Sequence, residues 1–203
     1  MALKITQTLF SAWEWMYKTD DGEADFLRTL RRERGEQSPA MLAGIAFENW
    51  CYAAAQDWEH VAPTVPPEFM GGVSQIVPII TGGAFQVKVW KPVTIGGTDF
   101  LLYGILDALK CGTIYDIKYK NKSFNSLKLD GAYRGSPQHP MYFRLVHQAE
   151  EFQYLVSDGA DLYIETYRPE DVEPIDDEIQ RFAEFLRREK LWDLYVEKWT
   201  VQP

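Results

Sequence analysis

Two aspartates flank a predicted tight turn, and their spacing could place two carboxylates side by side. Asp107 lies four residues before the pair Cys111-Gly112, and Asp116 lies four residues after it. If that pair is a two-residue loop between antiparallel strands, the register places Asp107 opposite Asp116, and a symmetric four-residue loop gives the same register. Directly opposed residues have Cβ atoms about 4.5–5.5 Å apart. A three-residue loop would break this register, so the pairing is a hypothesis.

Two carboxylates this close together need a compensating charge. Like charges on opposed strand positions are destabilising, the more so between apolar neighbours such as Ile105 and Ile114. A magnesium ion suits the position, because it takes hard oxygen ligands and commonly uses one or two carboxylates together with water and substrate phosphate. Lys118 follows Asp116 by two residues and therefore points to the same face of the strand. Its ammonium either forms a structural salt bridge or assists phosphoryl chemistry.

Glu48 is the third candidate acid, on a predicted helix. Its neighbours three and four positions away are Gly44, Ile45, Cys51 and Tyr52, which are all uncharged. A carboxylate on an apolar stripe is costly without a partner, and a helical glycine costs about 1 kcal/mol against alanine. We therefore expect Gly44 to mark the close approach of another backbone and Glu48 to point inward toward positive charge. In the alternative, the helix is shallow and Glu48 reaches water.

The N-terminal third of the chain, residues 1–60, is predicted to be helical. Aromatic and apolar residues favour helices over 7–18 and 22–35, and a third helix begins after the N-cap Ser38 and ends near Gln56. The segment 61–83 contains four prolines and two Gly-Gly pairs. It is predicted to be a loop with one short helix.

From residue 84 onward, the apolar period changes to two, which indicates strands. Three strands at 85–93, 99–110 and 113–120 are predicted to form an antiparallel meander, within a sheet core spanning 84–168. The remaining predicted elements are helices at 123–132 and 137–149, strands at 151–158 and 161–168, and a final amphipathic helix at 175–191 within a C-terminal helical segment, 175–203. This order predicts a single α/β (α+β) domain over residues 1–203, with a mixed central sheet flanked by helices.

Composition excludes several classes of protein. The 203 residues are 46% hydrophobic and 25% charged, as in soluble globular proteins. No apolar run approaches the ~18 residues of a membrane span, and the start lacks a secretory signal, so we expect a cytoplasmic protein without a membrane partner. The two cysteines, Cys51 and Cys111, form no CxxC motif, which excludes a disulfide scaffold, a zinc ribbon and a cysteine-ligated iron–sulfur cluster.

The charge is unevenly distributed along the chain. The net charge is -9, and the segment 147–203 accounts for all of it, since residues 1–146 hold 15 residues of each sign. Between positions 118 and 134, five basic residues accompany a single acid, Asp130. This stretch could bind a polyanion, or it could be a solvated loop that carries lysines.

The segment GILDALKCGTIYDIKYK (104–120) resembles the metal-binding core of the PD-(D/E)XK nuclease superfamily. In that pattern, an acid on one strand is followed by acid-x-Lys on the next, which Asp107 and Asp116-Ile117-Lys118 match. The motif lacks the proline of the superfamily's name and has aspartate as its second acid, and both departures are accepted variants.

Two helical motifs extend the resemblance to the RecB-like and phage-type exonuclease branch. GIAFE (44–48) is similar to a preceding helical motif, with Glu48 where that branch places a His or Glu ligand. Gln138 and Tyr142 match a Gln-x-x-x-Tyr motif, whose spacing places both side chains on one helix face. Their order agrees with the branch across residues 38–168, and the cysteines of the iron–sulfur members are absent.

The resemblance implies a restriction-endonuclease-like core and a metal-dependent DNA nuclease. A Mg²⁺ or Mn²⁺ ion would be held by Glu48, Asp107, Asp116 and the backbone carbonyl of Ile117, with Lys118 acting on the nucleophile or the transition state. Gln138 and Tyr142 would position phosphate or water from the neighbouring helix. The DNA backbone would be contacted by four basic residues, Lys120, Lys122, Arg134 and Arg144.

The implied nucleic-acid partner is linear duplex or single-stranded DNA. The resemblance is also compatible with a homo-oligomer and with a recombination partner protein. An exonuclease of phage or bacterial recombination and repair is the first interpretation. A catalytically inactive nucleic-acid-binding or structural relative of the same fold is the second. In a third interpretation, Asp107 and Asp116 are a sugar-hydrolysing or proton-transfer pair, and activity is independent of metal.

Overall fold

The fold is a seven-stranded mixed sheet flanked by helices, as seen in a computed structural model that describes residues 1–201. This confirms the predicted α+β class. The strands are β1 (Ala2–Thr6), β2 (Ala84–Ile95), β3 (Thr98–Lys110), β4 (Thr113–Tyr119), β5 (Glu151–Ser157), β6 (Leu162–Tyr167) and β7 (Thr200–Val201). The sheet order is β6-β5-β4-β3-β1-β7, and β2 also pairs with β3.

Eight α-helices and three short 3₁₀ segments complete the described chain. The helices are α1 (Gln7–Trp15), α2 (Gly22–Leu30), α3 (Pro39–Gln56), α4 (Trp58–Val61), α5 (Pro67–Ile80), α6 (Gln138–Leu145), α7 (Ile175–Arg188) and α8 (Trp192–Trp199). The 3₁₀ segments are Ala62–Thr64, Phe124–Ser126 and Pro169–Asp171. Within residues 1–201, no helix has both the length and the apolar character needed to cross a membrane.

The antiparallel meander of β2, β3 and β4 is confirmed. Its second turn is the two-residue loop Cys111-Gly112, and both residues have positive φ angles, 49° and 80°. Positive φ at both loop positions matches the twist of the flanking strands. The pairs Ala108↔Tyr115 and Lys110↔Thr113 follow the predicted register.

Two packed cores cover opposite faces of the sheet. Alternate residues of β5 show this, because Phe152 and Tyr154 face the larger core, whereas Leu155 faces the smaller one. Buried residues of α1, α6, α7 and α8 build the larger core, and those of α3 and α5 build the smaller one. The sheet therefore has helices on both faces.

The prediction of a purely helical N-terminus is wrong for residues 2–6. This segment is β1, which pairs parallel to β3 and antiparallel to β7. Leu3 and Ile5 are buried and alternate with partly exposed residues. Five residues are too few for that alternation to stand out, and β1's partners lie almost 100 and 200 positions away in sequence.

Two loop and helix predictions are also corrected. Residues 67–80, predicted to be mostly loop, form α5, and the predicted helix at 123–132 is reduced to the 3₁₀ segment at 124–126. The C-terminal helical segment contains two helices and β7, and its residues 202 and 203 lie outside the described part of the chain.

Two helical glycines, Gly44 and Gly72, have different surroundings. A Cβ at Gly72 in α5 would lie 2.1 Å from Ser157 Oγ, and the Gly72 amide donates to the Gly159 carbonyl at 2.7 Å. Glycine therefore lets α5 approach the β5–β6 turn closely. At Gly44, by contrast, a Cβ would have no heavy atom of the described residues within 4 Å. The expected backbone approach at Gly44 is wrong.

We predict opposite effects of alanine at these two helical glycines. Gly72→Ala should lower the free energy of unfolding by about 1–3 kcal/mol, because the added methyl overpacks a contact that has no space. Gly44→Ala should raise it by about 0.5–1 kcal/mol, since alanine loses less backbone entropy on folding. Urea unfolding of both variants measures this. Equal effects at the two positions would contradict the packing described for α5.

Candidate active site

A fork in the sheet creates the candidate site. β2 pairs with β3 along almost its whole length, so β1 and β4 must share the other edge of β3. β1 pairs with residues 100–103, and β4 pairs with residues 108–110. The segment 104–107 between them has no strand partner on that edge in the described chain. A pocket of about 300 Å³ opens there.

The pocket contains all six side chains that were predicted to be catalytic. They come from α3, β3, β4 and α6, and the start of α1 supplies further lining residues that the sequence did not indicate. The six predicted residues are Glu48, Asp107, Asp116, Lys118, Gln138 and Tyr142. The others are Thr6, Gln7, Thr8, Tyr103, Gly104 and Ile105.

Asp116 is the most buried acid of the pocket, with 3% of its surface exposed. Gln138 donates a hydrogen bond from Nε2 to Asp116 Oδ1. Lys118 Nζ lies 2.6 Å from Asp116 Oδ2, and no hydrogen bond from another described residue reaches this oxygen. A carboxylate oxygen has two lone pairs, so Oδ2 can accept a further ligand beside the ammonium.

Asp107 sits where the β3–β4 ladder stops. The ladder ends one pair before Asp107 and Asp116, and Asp107 Oδ2 instead accepts a hydrogen bond from the Ile117 amide at 2.9 Å. The carboxylate thus satisfies a backbone donor that the divergence of the strands would otherwise leave unpaired. Burial, reinforced by the nearby negative charge of Asp116, holds the pKa of Asp107 well above its usual range.

Lys118 supplies the positive charge among these acids. Burial acts to lower its pKa, but the carboxylates of Asp116 and Asp107 outweigh burial and hold the pKa above its usual value. The ammonium is therefore charged at neutral pH. Its side chain is 32% exposed and lines the pocket. The predicted placement of Lys118 beside Asp116 agrees with this ion pair.

Glu48 enters the pocket from α3 and is partly buried. Burial raises its pKa to about 7, against the attraction of Lys118 and with a smaller contribution from Asp116. Its carboxyl therefore changes charge near neutral pH. Tyr52, one helical turn further along α3, accepts a hydrogen bond from Gln86 Nε2 at 2.9 Å.

The two residues of the Gln-x-x-x-Tyr motif support the acids from α6. Gln138 orients Asp116 through its amide, as described above. The Tyr142 hydroxyl donates to the Ile105 carbonyl at 2.8 Å, on the unpaired segment of β3. A Cβ at Gly104 would lie 2.3 Å from Tyr142 Cε1, so a glycine is needed for the ring to pack there. Both side chains contact protein groups of the fork.

The donor set fits a hard divalent cation. Carboxylate oxygens and backbone carbonyls are the ligands that Mg²⁺ prefers, and it commonly uses one or two carboxylates. Asp116 Oδ2 is a buried oxygen whose neighbouring donor among the described residues is the Lys118 ammonium, and Asp107 lines the same pocket. Among the described residues, no three His, Cys, Asp or Glu side chains are grouped as a complete metal-binding set. A cation would therefore be held mainly by the two aspartates.

The predicted DNA-binding residues have different surroundings. Lys120 is partly buried near Lys118, and its Nζ lies 5.5 Å from the Tyr133 ring centroid. Lys122 is exposed, and Arg134 is exposed beside a separate cavity. Arg144 forms a two-pronged ion pair with Asp176, at 2.9 and 3.1 Å, which joins α6 to α7. The structure thus places Lys120 beside the pocket and engages Arg144 in a contact between helices.

Sequence reasoning missed the contribution of the N-terminus to the pocket. Thr6, Gln7 and Thr8 line it because β1 leads directly into α1 at the fork. The prediction of a helical segment over residues 1–60 gives no reason to place these residues at the site. Gln86 was missed as well; it has a positive φ angle of 52° within β2 and holds Tyr52 beside Glu48.

Comparison with known proteins supports the fold alone. No protein-family model matches the chain, and no curated protein matches it. A solved structure named "Crystal structure of SSO0001" is similar, with a TM-score of 0.52 and 14% sequence identity. The similarity covers 94% of this chain and 78% of that chain.

We predict that removing the Glu48 charge stabilises the metal-free protein above neutral pH. The folded-state pKa near 7 exceeds the unfolded value of about 4.3, so stability falls as pH rises through this window. With a chelator present, Glu48→Gln should raise Tm by about 2–5 °C at pH 8 and by less at pH 5. The exposed Glu59→Gln is the control. A Glu48→Gln gain that is equal at both pH values, or absent, would contradict the burial described.

Proposed function

We propose that the protein is a metal-dependent deoxyribonuclease that hydrolyses phosphodiester bonds. The observation that carries the proposal is the meeting of Asp107, Asp116 and Lys118 in one pocket at the sheet fork. A buried and a partly buried acid with an adjacent ammonium suit phosphoryl chemistry, where charge must be neutralised on both the nucleophile and the phosphate. The resemblance to the PD-(D/E)XK pattern adds to this support.

Asp107, Asp116 and the carbonyl of Ile117 would hold a Mg²⁺ or Mn²⁺ ion, with Glu48 at the same pocket. Such an ion, when bound, lowers the pKa of water and neutralises phosphate charge. Gln138 would keep Asp116 in one orientation through its hydrogen bond to Oδ1. Lys118 would orient the nucleophile or stabilise charge developing on the scissile phosphate.

We place this activity in recombination or repair of phage or bacterial DNA, with an exonuclease as the first choice. This choice rests on the resemblance to the phage-type branch. Cys51 and Cys111 are both free thiols, and Cys111 is exposed, which favours a reducing compartment such as the cytoplasm. The second candidate is a relative that binds DNA without cleaving it.

We predict that linear DNA is degraded with Mg²⁺ or Mn²⁺ and that Asp116→Asn and Lys118→Ala each lower the rate by about 100-fold or more. That loss follows from removing several kcal/mol of transition-state charge stabilisation, at about 1.4 kcal/mol for each factor of ten. Gel assays with linear and circular DNA measure the rates and distinguish cutting at ends from internal cutting.

The matched control is Asp99→Asn, at an exposed aspartate near the start of β3 that accepts a hydrogen bond from Thr94. It should retain the full rate. Cleavage that persists in both site variants, or that needs no metal, would refute the assignment of a metal-dependent nuclease to this pocket. DNA binding without cleavage in the presence of any metal would favour the second candidate.

A further inference from the structure

A second cavity adjoins the active-site pocket and opens between α1 and residues 132–138. It has a volume of about 490 Å³ and shares Gln7, Lys118 and Gln138 with the pocket. We call this cavity the α1 groove. The two spaces therefore lie side by side, and the groove adjoins the pocket that holds Asp107 and Asp116.

The α1 groove carries an exposed aromatic side chain beside a lysine. Trp15 is the last residue of α1, and 56% of its surface is exposed. Lys18 Nζ lies 5.2 Å from the Trp15 ring centroid, and Lys120 lies beside Tyr133 on the opposite side of the groove. Trp15 therefore presents a large apolar ring at the edge of the groove, next to a cation.

One acidic residue belongs to the groove. Glu14 is the only acid among its described lining residues, and it is partly buried. Burial raises its pKa, although Lys18 and Arg181 act in the opposite direction. Three lysines line the groove against this one acid, so its net charge is positive. They are Lys18, Lys118 and Lys120.

We propose that the α1 groove binds single-stranded DNA, with a base stacked on Trp15 and phosphates held by Lys18 and Lys120. This inference rests on the proposed nuclease function, for which it names the form of substrate. Aromatic platforms beside cations bind unpaired bases in single strands, whereas the bases of a duplex are already stacked on each other. Backbone contacts alone, by contrast, would need no exposed aromatic ring.

The surroundings limit the path of the strand. A larger cavity of about 700 Å³ adjoins the groove at Gly135–Pro137, and five acids line it against two arginines, Arg134 and Arg181. The acids are Glu14, Asp171, Glu173, Asp177 and Glu178. Their surplus negative charge disfavours phosphates, so we expect the strand to leave the groove on the side of Trp15 and Lys18.

Binding of a fluorescently labelled oligothymidine to the full-length protein in chelator tests the groove without cleavage. We expect the single strand to bind more tightly than the corresponding duplex. Trp15→Ala should weaken single-strand binding about 5- to 100-fold, and Trp15→Phe should restore most of the affinity. Trp58→Ala, at an exposed tryptophan outside both cavities, should have no effect. Lys18→Ala and Lys120→Ala should each lower the salt dependence by about 0.7 in log–log slope.

The outcomes separate this inference from the nuclease proposal. If single-strand binding depends on Trp15 but the protein never cleaves DNA, the proposed groove binding is supported and the proposed nuclease activity is refuted. If the protein cleaves DNA but its single-strand affinity is unchanged in Trp15→Ala, the proposed groove binding is overturned and the proposed nuclease activity stands. Equal affinity for duplex and single strand, without dependence on Trp15, would also overturn it.

Discussion

A surplus of buried negative charge at one point of the sheet is the constraint on which the rest of the structure depends. Asp107, Asp116 and Glu48 line one pocket with a single ammonium, that of Lys118. Burial raises the pKa of Glu48 and Asp107, so water no longer stabilises their charged forms well. An arrangement of this kind weakens the folded protein unless a cation completes it. The cation-assisted chemistry proposed for this pocket would account for that cost.

The divergence of two strands makes room for those charges. Since β1 and β4 occupy different parts of the same edge of β3, the segment 104–107 has no strand partner on that edge within residues 1–201. Side chains satisfy backbone groups on both sides of the gap, because Tyr142 donates to the Ile105 carbonyl of β3 and Asp107 accepts from the Ile117 amide of β4. The acids are therefore held by the same contacts that close the fork. Gly104 belongs to this arrangement, as any side chain there would collide with the Tyr142 ring.

The parts of the site that depend on local sequence could be predicted, and those that depend on distant partners could not. Cys111-Gly112 sets the register of its hairpin by itself, so the approach of Asp107 to Asp116 followed from the turn. The role of β1 depends on pairing with a strand almost 100 residues away, and no periodicity in five residues reports that. The sequence favours a close approach at Gly44 in its predicted helix and a loop at Gly72, yet of the two it is Gly72 that meets another element closely. For the same reason, the ion pair between Arg144 and Asp176, 32 residues apart, could not be predicted from the sequence.

The position of a bound metal ion tests the central claim most directly. Crystals of the protein soaked in Mn²⁺ give an anomalous signal that locates the ion independently of any activity. The account predicts a peak at the sheet fork, within about 2.0–2.3 Å of carboxylate oxygens from both Asp107 and Asp116, and its loss in Asp116→Asn. A fork without a peak at saturating Mn²⁺, or an ion bound only elsewhere on the surface, would contradict it.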